Sequence, residues 1–510
     1  MSATSLTHDF ALALAAALLS AACASQPVKP AEPPVAAAPA APATPATPAA
    51  PLAPPAPETP DAPFRAQKPA AAPGEPRFEA PVPKVAALKN GARLLVVESR
   101  AVPLVSIEIV LRAGVDQEPA AKAGLAGFTA DMLTEGTVKR PALEYAARVE
   151  DLAARLSASA DLESTRLRLN CLTENLPEAL DLLAEALLTP AFHADDVERV
   201  RGIRLTGLQQ KQASPTALAA DEAARIVFGE KHPRGRPSGG TPESIRAITR
   251  KDLKDFHDDY YDPKSAIVSV AGDVGAAEVK ALLDEKLAAW KGKRGAEPRR
   301  PAYPKLAGRS ITLIDKPGAS QSQVWLVGEL FPAAHPDRIP MAVLNNVLGG
   351  LFGSRLNQNL RETKGYSYGV RSTLRLESDR GWLAAAGGLQ ARFTAESVTE
   401  FEKELTAMAT GALREGELQR AKEALIRGLP VTLETNDAVA GSVASLAALG
   451  LPLDWFAQVP ARIAAVSEAD VARVATTWLK PARMPVIVVG PRAEFEAKLK
   501  ALELGPLTVK

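Results

Sequence analysis

Two stretches of this chain, 218 residues apart, follow one plan. ITRKDLKDFHDDYYDPKSAIVSVAGDV begins at Ile248 and VSEADVARVATTWLKPARMPVIVVGPR begins at Val466. Each reads as a helix ending in an aromatic residue, then x-x-Pro, then an alternating apolar strand closed by glycine. Ile248 matches Val466, Leu253 matches Val471, Tyr260 matches Trp478, Pro263 matches Pro481 and Gly272 matches Gly490, with no insertion between them. A constant offset through five features is the mark of an internal duplication. The 510-residue chain is therefore expected to hold two homologous halves of about 200 residues each, a size typical of single domains.

Each half mixes strands and helices. LKNGARLLVVES and PLVSIEIVLRAG alternate apolar and polar residues around an Asn90-Gly91 turn, a hairpin signature. After Pro141, helical spacing puts Leu143, Ala146, Val149, Leu152 and Leu156 on one face. In STRLRLNCLT, Leu167, Leu169 and Cys171 fall on one side of a strand, which makes Cys171 a buried small apolar residue rather than a reactive thiol. The second half repeats the scheme with SITLIDKP, SQVWLVGELF, a helix from Met341 to Leu348, the pair YSYGVRSTLRL and WLAAAGGLQA, and late helices. Gly387 and Gly388 suit either a bulge for close peptide approach or a concession to packing. The fold class expected is α+β, with halves at residues 84–291 and 304–505 joined by the charged KGKRGAEPRRPAYP.

The remaining residues read as an address and a tether. The apolar run from Phe10 to Ala22 is too short to span a bilayer and is followed at once by Cys23, so residues 1–23 read as a signal peptide. Ser20, Ala21 and Ala22 before Cys23 resemble a bacterial lipoprotein cleavage box, in which Cys23 would carry the lipid; a plain soluble signal peptide is the alternative. Residues 24–83 hold much of the chain's 43 prolines and few large apolar side chains, so they are expected to be an extended, disordered linker. The expected location is exported, either periplasmic or anchored to the outer membrane, with the lipid as the sole membrane contact. With 60 Lys+Arg against 59 Asp+Glu, no global field favours nucleic acid, and none is expected as a partner. Two cysteines make no disulfide framework or structural zinc site.

GLAGFTADMLTEGT, from Gly124 to Thr137, resembles the active helix of the pitrilysin/insulinase (inverzincin) metallopeptidases, whose zinc motif is H-x-x-E-H within a Gly-Leu-Ala and Met-Leu…Gly-Thr frame. The frame is present and the ligands are absent. In register, the histidine positions hold Gly127 and Asp131, and the position of the general-base glutamate holds Ala130. The family's later glutamate ligand falls at Gly207. His193, His232, His257 and His335 are too scattered to replace them. A second signature is intact: GGLFGSRLNQNLRETKGYSYGV, Gly349 to Val370, is similar to the stretch that supplies the family's substrate-binding Arg/Tyr pair, here Arg361 and Tyr368. Taken alone, such residues could equally be a surface ion pair and a core aromatic. Gly349, Gly350, Gly353, Arg355, Leu360, Glu362 and Gly365 complete the pattern.

The resemblance implies duplicated LuxS/metallohydrolase-like units forming a clam-shell. It also implies a chain that is not catalytic alone, with no metal or other cofactor of its own and zinc in a partner subunit. That partner would be a zinc-bearing family member paired as a heterodimer. The substrate would be a peptide or unfolded polypeptide, to which Arg361 and Tyr368 contribute in trans. The alternative is a peptide-binding or scaffold pseudoenzyme without hydrolysis.

Overall fold

The computed structural model describes residues 79–237, 239–292, 302–306 and 308–510. The signal peptide, Cys23, nearly all of the Pro/Ala-rich linker and most of the connection between the halves lie outside the described residues. Among the described residues, no helix is long and apolar enough to cross a membrane.

Strands β1 (Lys84–Ala87), β2 (Arg93–Glu98), β3 (Leu104–Leu111), β4 (Arg155–Ala160), β5 (Thr165–Leu172) and β6 (Ile267–Gly272) form a sheet in the order β1-β2-β6-β3-β5-β4. Strands β7 (Ile311–Asp315), β8 (Gln321–Leu330), β9 (Ser367–Leu376), β10 (Gly381–Gln390), β11 (Val486–Gly490) and β12 (Leu507–Val509) form a second, in the order β12-β7-β11-β8-β10-β9. From β2 and β7 onward the two orders are the same. The Asn90-Gly91 turn joins β1 to β2. It does not pair β2 with β3, because β6 lies between them, parallel to β2 and antiparallel to β3. The outer strand beside β7 is the C-terminal β12, so the second sheet extends past residue 505.

The duplication holds residue by residue. Thr249 and Ser467 cap helices Arg250–Tyr260 and Glu468–Trp478, each with an Asp three positions on closing a capping box. The turns Pro263–Ser265 and Pro481–Arg483 follow, and then β6 and β11. Both helices start because a hydroxyl and a carboxylate satisfy N–H groups that have no partner inside the helix, and both stop before a proline.

Each half lends a helix to the other's sheet. Helix Pro215–Phe228 buries Ala219, Ala223, Val227 and Phe228 against Val327, Trp382, Ala384, Ile487 and Val489 of the second sheet. Helix Asn436–Ala448 buries Val439, Ala440 and Val443 against Leu95 and Ala271 of the first. Small residues on these faces let the backbones approach, and each buried Val or Phe contributes about 1.5–3 kcal/mol. Polar contacts set the register of the second exchange. The Asn436 amide donates to the Leu104 carbonyl at 3.0 Å, the Asn170 amide to Asp437 at 3.3 Å, and Arg166 to the Ser445 hydroxyl at 3.2 Å.

The loops β4–β5 and β9–β10, equivalent by the duplication, meet at a buried arginine. Arg234, with a side chain 0% exposed, donates twice to Asp116 (2.8 and 2.6 Å), to Glu163 at 2.7 Å and to Asp379 at 2.9 Å. Ser378 donates to Glu163 at 2.6 Å, and Tyr303 to Asp379 at 2.7 Å. Asp379 and Ser378 belong to the second half and the other acids to the first, so one guanidinium ties both halves together.

One expected helical face is revised. Helix Ala142–Asp151 buries Tyr145, whose hydroxyl donates to the Leu182 carbonyl at 2.8 Å, while Leu143 is 87% exposed. Leu156 belongs to β4. A hydroxyl with a partner waiting inside outweighs the apolar periodicity. In β5, Leu167, Leu169 and Cys171 are buried on one face as expected, and burial pushes the Cys171 thiol up to about 12.

Candidate functional site

The residues that correspond to a zinc site sit on two helices packed against each other. Gly127, Ala130 and Asp131 lie on Leu125–Met132, and Gly207 lies on Ala194–Ala213. Glu118 holds the first helix at its start, accepting from the Gly124 and Ala126 N–H groups at 3.0 and 2.9 Å. Burial pushes its carboxyl up to about 7, and those two hydrogen bonds work against the rise. Ala130 is fully buried. Asp131 pairs with Arg204, Nη1 to Oδ2 at 2.5 Å. Desolvation raises the Asp131 carboxyl above its usual range, opposed by the charge and hydrogen bond of Arg204.

Zinc requires three or four imidazole, thiolate or carboxylate ligands converging on one point. Here one carboxylate remains, already engaged with a guanidinium, and among the described residues no group of three or more His, Cys, Asp or Glu side chains is placed to hold a metal ion. The residues present do not fit zinc. The buried free thiol of Cys171 and the His257 ring, which meets the Leu187 carbonyl at 2.8 Å, are occupied in packing and local hydrogen bonding. A surface cleft of about 540 Å³ lined by Lys89, Lys280, Asp284 and Glu285 contains none of the candidate residues.

The Arg/Tyr segment is built differently. After helix Arg338–Asn345, a π-helical turn over Asn346–Gly350 replaces the expected continuation to Leu348, and a second π-helical segment, Gln358–Thr363, carries Arg361. Such turns are rare and gather at functional sites. The Arg361 guanidinium lies 4.4 Å from the centre of the exposed Phe352 ring, with Glu362 3.4 Å from its Nε. Earlier in the same segment, Arg355 is buried and bidentate to Glu417 at 2.9 and 2.5 Å. The Asn357 amide donates to the Phe352 carbonyl at 2.7 Å and accepts from the Val370 N–H at 3.3 Å. The Gly365 and Tyr366 N–H groups then donate to the Arg361 and Leu360 carbonyls at 3.1 and 2.9 Å, closing the turn from the π-helix into β9.

Tyr368 sits at a bulge in β9. Leu389 pairs with Ser367 and Gly387 with Val370, so Tyr368 and Gly369 together oppose Gly388. The Ser367 hydroxyl accepts from the Gly369 N–H at 2.9 Å and donates to the Gly388 carbonyl at 2.6 Å, pinning the irregularity. A Cβ on Gly387 would come 3.0 Å from the Val370 side chain, so the glycine keeps the strands close at the bulge. Bulges redirect side chains, and Tyr368 projects outward with 85% of its surface exposed. It is not a core aromatic. Guanidinium and phenol are both hydrogen-bond donors, the type of group that stabilises a developing oxyanion or holds a peptide carbonyl. Phe352, Asn357 and Arg204 escaped the reading of the sequence. An aromatic set between Gly350 and Gly353 was the one visible signal for the first, the partners of Arg204 are distant in sequence, and Asn357 bridges a turn whose π-helical geometry the sequence does not show.

Two family models cover most of the folded body. The one described as Insulinase (Peptidase family M16) matches residues 93–235, and the one described as Peptidase M16 inactive domain matches residues 247–425. A protein of Mycobacterium leprae described as an uncharacterized zinc protease is 32% identical over 354 residues, covering 69% of this chain and 79% of the relative. The chain belongs to the pitrilysin/insulinase family, M16. Within it, this chain is a member without the H-x-x-E-H ligands. A Dictyostelium discoideum relative, described as mitochondrial-processing peptidase subunit beta, is 24% identical over 427 residues, covering 81% of this chain and 90% of the relative. Among solved structures, a peptidase M16 inactive domain from Pseudomonas fluorescens aligns with a TM-score of 0.75 at 26% identity, over 80% of this chain and 98% of that one. A Helicobacter pylori protease shares the fold with a TM-score of 0.75 at 23% identity, over 81% and 100% of the two chains.

Proposed function

We propose that this M16 member is the zinc-free, substrate-binding subunit of a heteromeric metallopeptidase, donating Arg361 and Tyr368 to peptide hydrolysis by a zinc-bearing family partner. One contrast carries the reading. Among the described residues, the half that would hold metal has no ligand set, whereas the other half presents an exposed phenol on a pinned bulge and a guanidinium braced on an aromatic ring. Surface tyrosines and arginines do not need π-helical turns, a bulge and a buried Arg355–Glu417 pair anchoring their segment. In the assembled enzyme the partner supplies the metal and the groups that activate water. Arg361 and Tyr368 donate hydrogen bonds to the peptide oxygen on which charge develops. The apolar leader and Cys23 support an exported protein, periplasmic or lipid-anchored at the outer membrane, and mass spectrometry of the mature N-terminus tests this.

Co-expression with a zinc-bearing relative, assayed on a quenched fluorescent peptide, is expected to give activity only for the pair. Partner activity that is unchanged by this chain would overturn the proposal. Peptide binding by the isolated chain, with no partner that it activates, would turn the reading toward a non-hydrolytic binding protein. Phe352→Ala should cost less than loss of Arg361 itself. A cation–π contact at an exposed site is worth about 0.5–1 kcal/mol, so the pair's turnover should fall roughly two- to fivefold, measured as kcat on the same peptide.

A further inference from the structure

We infer that the Arg204 guanidinium is the resident cation of the former metal site, joining helices Leu125–Met132 and Ala194–Ala213 so that the first half needs no zinc and resists taking it up. Arg204 lies one turn before Gly207 on the same helix and reaches across to Asp131 at 2.5 Å and, more weakly, to the Gly124 carbonyl at 3.4 Å. Its guanidinium carbon stands 5.6 Å from the centre of the Phe128 ring, so charge, hydrogen bonds and an aromatic face all hold it in place. The decisive observation is spatial. A Cβ added to Gly127 would lie 2.9 Å from Arg204 Nη2 and 3.4 Å from Nη1, so the guanidinium occupies the space in which a side chain at residue 127 would begin. At Gly207, by contrast, an added Cβ meets nothing within 4 Å. The two glycines therefore differ. Gly207 is an empty position that a longer side chain could fill, and Gly127 is the bare surface that the guanidinium requires. One positive group bridging two helices through a carboxylate does the mechanical work of a bound ion, as a cation that neither deprotonation nor chelation removes.

Two measurements on the full chain test this. In thermal unfolding, the wild-type midpoint should be unchanged by EDTA or by added zinc. Arg204→Ala and Asp131→Ala should each lower it by about 3 °C or more, and the double variant should lose no more than the worse single one. In equilibrium dialysis with zinc alone, the variant Gly127→His/Asp131→His/Gly207→Glu should bind at least tenfold more weakly than the same variant with Arg204→Ala added. Additive or absent losses, a wild-type midpoint lowered by EDTA, or zinc affinity indifferent to Arg204 would each overturn the inference. None of these readouts involves peptide hydrolysis, so the result is independent of the proposed partnership.

Discussion

Replacing Arg361 by alanine, or Tyr368 by phenylalanine, is expected to lower the turnover of the proposed paired enzyme roughly ten- to a thousandfold, overlapping the roughly hundred- to thousandfold loss when one donor to a developing oxyanion is removed. Steady-state kinetics of the assembled pair on a fluorogenic peptide measures it. The loss should fall mainly on kcat, because a donor that meets charge only as it develops contributes little to ground-state binding. Tyr368→Phe is the cleaner of the two tests. It removes a single hydroxyl from a side chain that is 85% exposed, so folding is not at stake. Turnover within a factor of two of wild type would reduce both residues to surface features.

The second large effect is on stability. Arg234→Ala should cost about 3–5 kcal/mol, the usual result of removing one partner from a buried ion pair, read by equilibrium urea unfolding. The arginine side chain is fully buried and serves Asp116, Glu163 and Asp379 at once. Its loss takes the guanidinium from the buried Asp116 carboxylate and removes one tie between the two halves. A cost below about 1 kcal/mol would show that the exchanged helices and the Ser378–Glu163 hydrogen bond hold the halves together without it. Replacing Arg234 and Asp116 together by apolar residues of similar volume should recover part of the loss, since the charges themselves are expensive to bury.

Much of the architecture was legible because it was written twice. Matching aromatic helix ends at Tyr260 and Trp478, matching prolines at 263 and 481 and matching terminal glycines at 272 and 490 are local features, and local chemistry decides them. The Asn90-Gly91 turn and the buried face of Leu167, Leu169 and Cys171 were legible for the same reason, whereas the insertion of β6 between β2 and β3 was not. The face assigned to Leu143 failed because Tyr145 finds its hydrogen-bond partner on a helix over thirty residues away, which periodicity does not report. At Gly387 and Gly388 the register against β9 places a bulge whose extra residue lies in β9, and Gly387 packs closely on Val370.

The amino-acid sequence alone determined which chemistry is missing and which donors remain: no imidazoles at residues 127 and 131, an arginine at 361 and a tyrosine at 368. It also determined the repeated halves, since caps, turns and alternation act over a few residues. Only the tertiary structure decided that Arg204 pairs with Asp131 beside Gly127, that Arg234 bridges the halves, and that Tyr368 stands on a bulge of its strand while Phe352 packs on Arg361. Each of these depends on side chains brought within a few ångströms by packing. Arg204 and Asp131 are 73 residues apart, and Arg234 and Asp379 are 145, distances along the chain over which no local preference carries information.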